Sequence, residues 1–172
     1  EKKTWRKQNL WEEATHVPLF FKVPGNKNSG DRSSQAVSLL DIYPTLVELC
    51  GLPKAKKLEG ESLVSLIDNP ETTRERPVLS TWYYKNHAVR STNWRYIQYR
   101  DGSEELYNHQ TDPGEHINLA SDPKYADIIA DHKKWLPKND ALPAGKSAWD
   151  GDSLDKRLNN WIAKDSIPMW LR

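Results

Sequence analysis

The chain has 172 residues, with 25 lysines and arginines against 24 aspartates and glutamates, for a formal net charge of +1. Charges so evenly balanced offer no basic stripe for a nucleic acid, and no apolar run approaches the roughly 20 residues of a membrane span. The single cysteine, Cys50, excludes an intrachain disulfide framework and a cysteine zinc cluster. No Asn-x-Ser/Thr acceptor occurs, which disfavours a heavily glycosylated lysosomal or secreted eukaryotic protein. Eight tryptophans and seven tyrosines are many for this length. Some should pack a core, and some should line a surface suited to a planar or sugar-like ligand.

Taken in chain order, VPLFFKVPG (17–25) is a short apolar run between prolines and a glycine. Its length predicts a buried strand rather than a helix. NKNSGDRSSQ (26–35) is a polar loop, and AVSLL (36–40) begins as a second short apolar run. A helix is predicted from about Asp41, whose carboxylate suits the free amides of a first turn. Pro44 is tolerated in that turn, and Gly51 followed by Pro53 ends the helix. Strand, loop, strand, helix is the rhythm of an α/β sheet.

A short amphipathic helix is predicted over about Ser62 to Asp68. A boundary falls near 70–77, after which short aromatic and β-branched runs predict an antiparallel sheet. Asp101-Gly102 marks a hairpin between two of them. Alternation puts Trp94, Tyr96 and Gln98 on one face and Arg95, Ile97 and Tyr99 on the other. DPKYADIIADHKKWL (122–136) predicts a helix with Asp122 as cap and Pro123 at its first position. Tyr125, Ile128, Ile129, His132 and Leu136 lie near one stripe of it. The tail, with Trp149, holds a helical pattern around 152–164.

Residues that carry chemistry are few. Cys50 ends an apolar helix and reads as a small buried hydrophobe. None of His16, His87, His109, His116 and His132 forms a metal-binding helical pair. His16 precedes the predicted 17–25 strand, and His87 lies where a turn between aromatic strands would face a cleft. The basic run at 54–57 reads as a solvated loop. DGDSLD (150–155) lacks the downstream glutamate of a calcium loop. Lys2, Lys3, Arg6 and Lys7 crowd the start of the chain. They form either a solvated face or a lysine beside an anion, since a compact ammonium pairs well with a sulfate or phosphate oxygen.

Four segments, in order, resemble one family. W-x-K-x-x-L-W-E-E-A-T-H-V-P-L-F-F-K-V-P-G resembles the stretch that follows the last metal-ligand motif of sulfatases. S-L-L-D-I-Y-P-T-L-V-E-L-C-G-L resembles their strand–helix with D-x-x-P-T, and L-E-G-E-S-L their G-x-S-L turn. H-A-V-R-S-T-N-W-R-Y-I-Q-Y-R-D-G-S-E-E-L-Y-N-H-Q-T-D-P-G-E-H-I-N-L-A resembles their small C-terminal subdomain. The style is that of iduronate-2-sulfatase-like and related polysaccharide sulfatases, over residues 1–136. The resemblance implies an α/β fold: the C-terminal end of a sulfatase core over 1–76, then a subdomain over 77–172 with an antiparallel sheet, a helix and a tail.

It also implies a chemistry. Sulfatases of this family, within the alkaline phosphatase superfamily, hydrolyse sulfate esters with a formylglycine made from cysteine or serine, beside a calcium ion. Placed cations steady the charge that develops on the ester. The chain lacks the modification motif Cys/Ser-x-Pro-x-Arg: CGLPK has its proline one place late, and SIPMW has Trp170 in place of arginine. Carried over by position, Lys7 matches the lysine that contacts the sulfate or leaving oxygen, and His16 and His87 are substrate-binding candidates. No metal ligand is assigned to this chain. The implied partners are the N-terminal portion of the same sulfatase and a sulfated carbohydrate. The implied location is periplasmic, secreted or lysosomal, with a bacterial periplasm or secretion favoured. Two alternatives stand beside this. One is a carbohydrate-binding or interaction domain using aromatics around Trp82–Tyr84 and Trp94–Tyr99; the other is a phosphatase or phosphodiesterase relative of the same superfamily.

Overall fold

The computed structural model describes residues 9–54 and 56–140. Lys7 and its basic neighbours, Trp149 and the helical pattern at 152–164 lie outside these residues. The framework is an antiparallel sheet of four strands in the order β1 (Val78–Thr81), β2 (His87–Arg90), β3 (Trp94–Gln98) and β4 (Glu104–Asn108). Each strand is hydrogen-bonded to the next in sequence, so three tight connections suffice. In the β3–β4 hairpin, Tyr99 N–H donates to Ser103 O at 2.9 Å and Gly102 takes φ +87°. That left-handed backbone is where glycine has no Cβ penalty.

The period-2 alternation of β3 holds in space. Tyr96, fully buried, meets Leu106 and Ile129 on one face, with Trp94, Leu119, Ile128 and Leu136 around them. That face is covered by α4 (Ala126–Lys133), entered through a 3-10 turn over Pro123–Tyr125 in which Asp122 accepts from Lys124 N–H at 2.9 Å. His132 lies buried under the sheet, its Nδ1 donating to Ile128 O at 2.8 Å and its Nε2 2.9 Å from Ser91 Oγ. Burial holds its pKa below the ordinary value, although the bond to Ile128 and the charge of Asp131 act in the opposite sense. The other face holds Ala88, Ile97 and Tyr107, and Leu10 closes it from the start of the chain, with Trp11, Trp82 and Tyr99 alongside. Burying a leucine side chain this fully is worth roughly 2 kcal/mol.

The remaining elements are short: α1 (Glu12–Thr15), α2 (Ile42–Leu49) and α3 (Val64–Asp68). A 3-10 turn over Leu39–Asp41 leads into α2. Asp41 does not cap α2 through its first-turn amides as expected. Its carboxylate turns back to Ser38 N–H at 2.8 Å, reaches Glu61 N–H at 2.8 Å, and meets Arg74 Nη1 at 2.6 Å. Thr45 extends the tie, donating to Asp41 O and accepting from Leu63 N–H. Gly60 sits where these chains cross: a Cβ there would lie 2.1 Å from Leu40 O. Close backbone approach explains the glycine in L-E-G-E-S-L.

Three further expectations fail. Neither 17–25 nor 36–40 forms a strand among the described residues: the first is irregular with Phe20 87% exposed, and the second runs into the 3-10 turn. A strand needs a neighbour for its backbone groups, and an apolar run by itself supplies none. Cys50 is exposed rather than buried, because α2 turns only Thr45 and Val47 inward. Tyr43, Leu46 and Leu49 face outward with Leu39, Leu40, Leu52 and Phe20.

Candidate functional site: a charged clamp on the segment after Lys7

Residues 10–12 follow Lys7 closely and are each fixed to the sheet. Leu10 O accepts from Arg95 Nη1 at 2.8 Å. Trp11 Nε1 donates to Glu105 Oε2 at 2.7 Å. Glu12 N–H donates to Glu115 Oε2 at 2.9 Å. Glu105 is itself held by the phenols of Tyr107, at 3.0 Å, and Tyr99. Burial and the neighbouring Glu105 push both phenols far above their ordinary range, so they remain donors.

At the centre stands Arg95, 2% exposed in the middle of β3. Its Nη2 pairs with Glu12, and its Nε lies 2.6 Å from Glu115 Oε1. Arg90 of β2 adds a second guanidinium, with Nε 3.1 Å from Glu12 Oε2 and Nη2 3.3 Å from Glu12 Oε1. His109 closes the set: Nε2 donates to Glu115 Oε1 at 2.8 Å, and Nδ1 accepts from Arg90 Nη2 at 3.1 Å. Glu115 reaches inward from a left-handed backbone, φ +55°, unusual for a residue with a side chain. Beside it, a Cβ on Gly114 would lie 2.3 Å from the His116 ring. Asn118 continues the turn, accepting from Leu106 N–H and donating to Glu104 O. The D-P-G-E-H-I-N-L run is therefore the device that carries Glu115 under the sheet.

Glu12, His109 and Glu115 offer ligand atoms within 4.8 Å of one another. The carboxylates are nevertheless committed to two guanidiniums, an imidazole and a backbone amide. Calcium takes 6–8 oxygen ligands, and a dication here would meet two arginine charges. Glu12, His109 and Glu115 therefore do not fit a calcium ion.

Acid titration reads the clamp directly. Burial pushes the Glu12 carboxyl up, but the Arg90 hydrogen bond and the charges of Arg95 and Arg90 outweigh it, and the pKa falls from 4.5 to about 2. A depressed carboxylate stabilises the fold above its unfolded pKa, and that contribution is lost as pH falls through the folded one. Wild type should therefore lose this part of its stability between pH 4.5 and about 2. Glu12→Gln should start less stable near neutral pH and converge with wild type at the acid end. Urea midpoints taken along this range measure it; two parallel curves would mean that Glu12 does not carry the effect.

The histidine candidates fall elsewhere. His16 is exposed at the end of α1, with Nδ1 3.4 Å from Glu12 Oε1, and no strand follows it. His87 is in strand β2, not in a turn, and is 5% exposed. Thr81 Oγ1 donates to its Nδ1 at 2.9 Å, and its Nε2 donates to Asp140 Oδ1 at 2.7 Å, so both ring nitrogens are engaged. Lys7 lies outside the described residues. Of the aromatics, Tyr96 is buried, Trp94 packs at a tilt on Tyr125 with ring centroids 5.4 Å apart, and Tyr99 packs against the core. The Trp94–Tyr99 run is thus core rather than a ligand surface. The β1–β2 tip is more open: Tyr83 and Lys85 take left-handed φ of 54° and 63°, and Lys85 and Arg100 each lie 5.3 Å from the Tyr84 ring. An open groove beside α3 is lined by Arg74, Arg76, Glu61 and Trp135. Its arginines are paired, Arg74 with Asp41 and both with Glu61.

Glu12, Arg95 and Glu115 stand inside the family motifs, where the sequence assigns them no role. The signal was present as charged residues in otherwise apolar surroundings: Arg95 between Trp94 and Tyr96, and Glu12 after Leu10-Trp11.

A small antiparallel sheet with a helix on one face and an incoming segment clamped to the other is the architecture expected of a C-terminal sulfatase subdomain. A solved 2-O GAG sulfatase (BT1596) shares it at a TM-score of 0.50 and 27% identity, over 77% of this chain and 28% of that one. Residues 1–141 match the family described as N-sulphoglucosamine sulphohydrolase, C-terminal, and the chain belongs to that family. It is 41% identical over 153 residues to a sulfatase of Formosa agariphila, covering 89% of this chain. It is 33% identical over 139 residues to a Delta 4,5-hexuronate-2-O-sulfatase of Bacteroides thetaiotaomicron, covering 74%. The chain spans 29% of the length of each of these two relatives.

Proposed function

We propose that this chain serves a sulfatase that removes sulfate from a sulfated carbohydrate, and that its own contribution is Lys7 together with the sheet that holds the Lys7 segment. The observation that carries the reading is the family match over residues 1–141, which takes in both Lys7 and the clamp. The hexuronate-2-O-sulfatase and 2-O GAG sulfatase relatives point to a 2-O-sulfated uronate saccharide as the first substrate class to try. Formylglycine and calcium supply the nucleophile and charge stabilisation in such enzymes, and both belong to parts outside this chain.

The role proposed for Lys7 is to pair its ammonium with the sulfate or leaving oxygen and favour the transition state, where charge on that oxygen grows. His16, exposed beside the clamp, is the more accessible of the two substrate-contact candidates; His87 acts there only by giving up Thr81 or Asp140. The outward apolar side chains Phe20, Leu39, Leu40, Tyr43, Leu46 and Leu52 support a covering partner, the N-terminal part of the same sulfatase. Among the described residues no helix is long and apolar enough to cross a membrane, and the proposed location is a bacterial periplasm or the exterior.

The test compares a 2-O-sulfated unsaturated uronate disaccharide with matched aryl sulfate and aryl phosphate esters, using the complete enzyme. Sulfate release should dominate, and the 172-residue chain alone should release none above a buffer blank. Preferential hydrolysis of the phosphate ester would move the protein to the phosphatase reading. Binding of the saccharide without turnover would favour a carbohydrate-binding domain.

A further inference from the structure

We propose that the buried set Glu12, Arg95 and Glu115, flanked by Arg90 and His109, positions Lys7 for catalysis. The inference rests on the reading of Lys7 as the sulfate-contacting lysine. Leu10, Trp11 and Glu12 are held by three separate bonds, to Arg95, Glu105 and Glu115. Lys7 precedes Leu10 by three residues, so at most about 11 Å of chain separates their Cα atoms. Leu10, held through its carbonyl by Arg95, is therefore an anchor within that distance of the Lys7 Cα.

Apolar packing already anchors this segment through Leu10 and Trp11. Such packing is non-directional, whereas a guanidinium fork sets direction as well as distance. Buried ion sets are often no more stabilising than apolar residues of the same volume. A charge set at this place is therefore poorly explained by stability and well explained by register. The rate effect of a catalytic group is steep in position: a misplacement of about 1 Å arising outside the reacting centre can cost on the order of 10². Glu12, Arg95 and Glu115 are positioning residues, acting only through Lys7.

A double-mutant cycle in the complete enzyme tests this. The four proteins are wild type, Glu12→Gln, Lys7→Ala and the double variant, assayed for kcat and KM on a sulfate ester. Glu12→Gln should lower kcat by about tenfold or more, with KM little changed. The double variant should match Lys7→Ala, because a positioning residue has nothing left to position. Arg95→Lys, which keeps the charge and loses the fork, should repeat the pattern and serves if Glu12→Gln folds poorly. A merely structural role lowers the folded fraction instead, and its effect multiplies with that of Lys7→Ala. Multiplying effects, or an unchanged kcat in both Glu12→Gln and Arg95→Lys, overturn the inference while leaving Lys7 in place. An unchanged kcat in Lys7→Ala overturns the Lys7 reading and the inference with it.

Discussion

Lys7→Ala is expected to lower kcat of the complete sulfatase by about 10²–10³, the usual loss when one oxyanion partner is removed. The leaving oxygen of a sulfate ester gains negative charge on the way to the transition state. An ammonium in contact with it stabilises that state more than the ground state, so the loss falls on kcat more than on KM. Lys7→Arg should restore only part of the rate, because a planar guanidinium cannot occupy the same point as a compact ammonium. Lys2, Lys3 and Arg6 share the basic run and provide controls; their alanine variants should leave kcat near wild type. A melting temperature measured beside each rate separates loss of fold from loss of chemistry. If Lys7→Ala keeps kcat within about threefold, well below such a loss, the basic run is a solvated face.

Arg95→Met should have the largest effect on stability. Arg95 is 2% exposed and serves Leu10 O, Glu12 and Glu115 at once. Methionine fills a similar volume but removes the guanidinium shared by both carboxylates, leaving Glu12 to Arg90 and Glu115, 1% exposed, to His109 and the Glu12 amide. Breaking a buried ion pair from one side typically costs about 3–5 kcal/mol, a large part of the 5–15 kcal/mol that ordinarily holds a domain together. The informative comparison is the triple variant Arg95→Met, Glu12→Leu, Glu115→Leu. Removing both carboxylates along with the guanidinium should recover part of the loss in urea midpoint, the remainder reflecting the partners that Arg90, His109 and the Glu12 amide lose in turn. A triple variant as unstable as Arg95→Met would show that packing shape at Arg95, and not stranded charge, sets the cost.

The sheet was the most legible part of the molecule. Asp101-Gly102 and the alternation of Trp94 to Tyr99 dictate a hairpin and its two faces, because turn chemistry and a period of two act over a few residues. The helix expected over 122–136 was legible from its apolar stripe, although the Asp122 cap and Pro123 open a 3-10 turn that leads into the α-helix Ala126–Lys133. The runs at 17–25 and 36–40 were not, since an apolar composition specifies burial only when something is there to bury it against. Cys50 was misplaced for the same reason: helical spacing names a face but not the neighbour that covers it.

Four motifs in order were enough to mark the family, and the first of them singled out Lys7 as the residue to test. Folding joined Glu12 to Arg95, across 83 positions of chain, and brought Glu115 to Arg95 as well. Local propensity carries no information about pairs so far apart. Their meeting is decided by which face of β3 the segment at Leu10 covers, and by the turn at Gly114-Glu115 that delivers the second carboxylate.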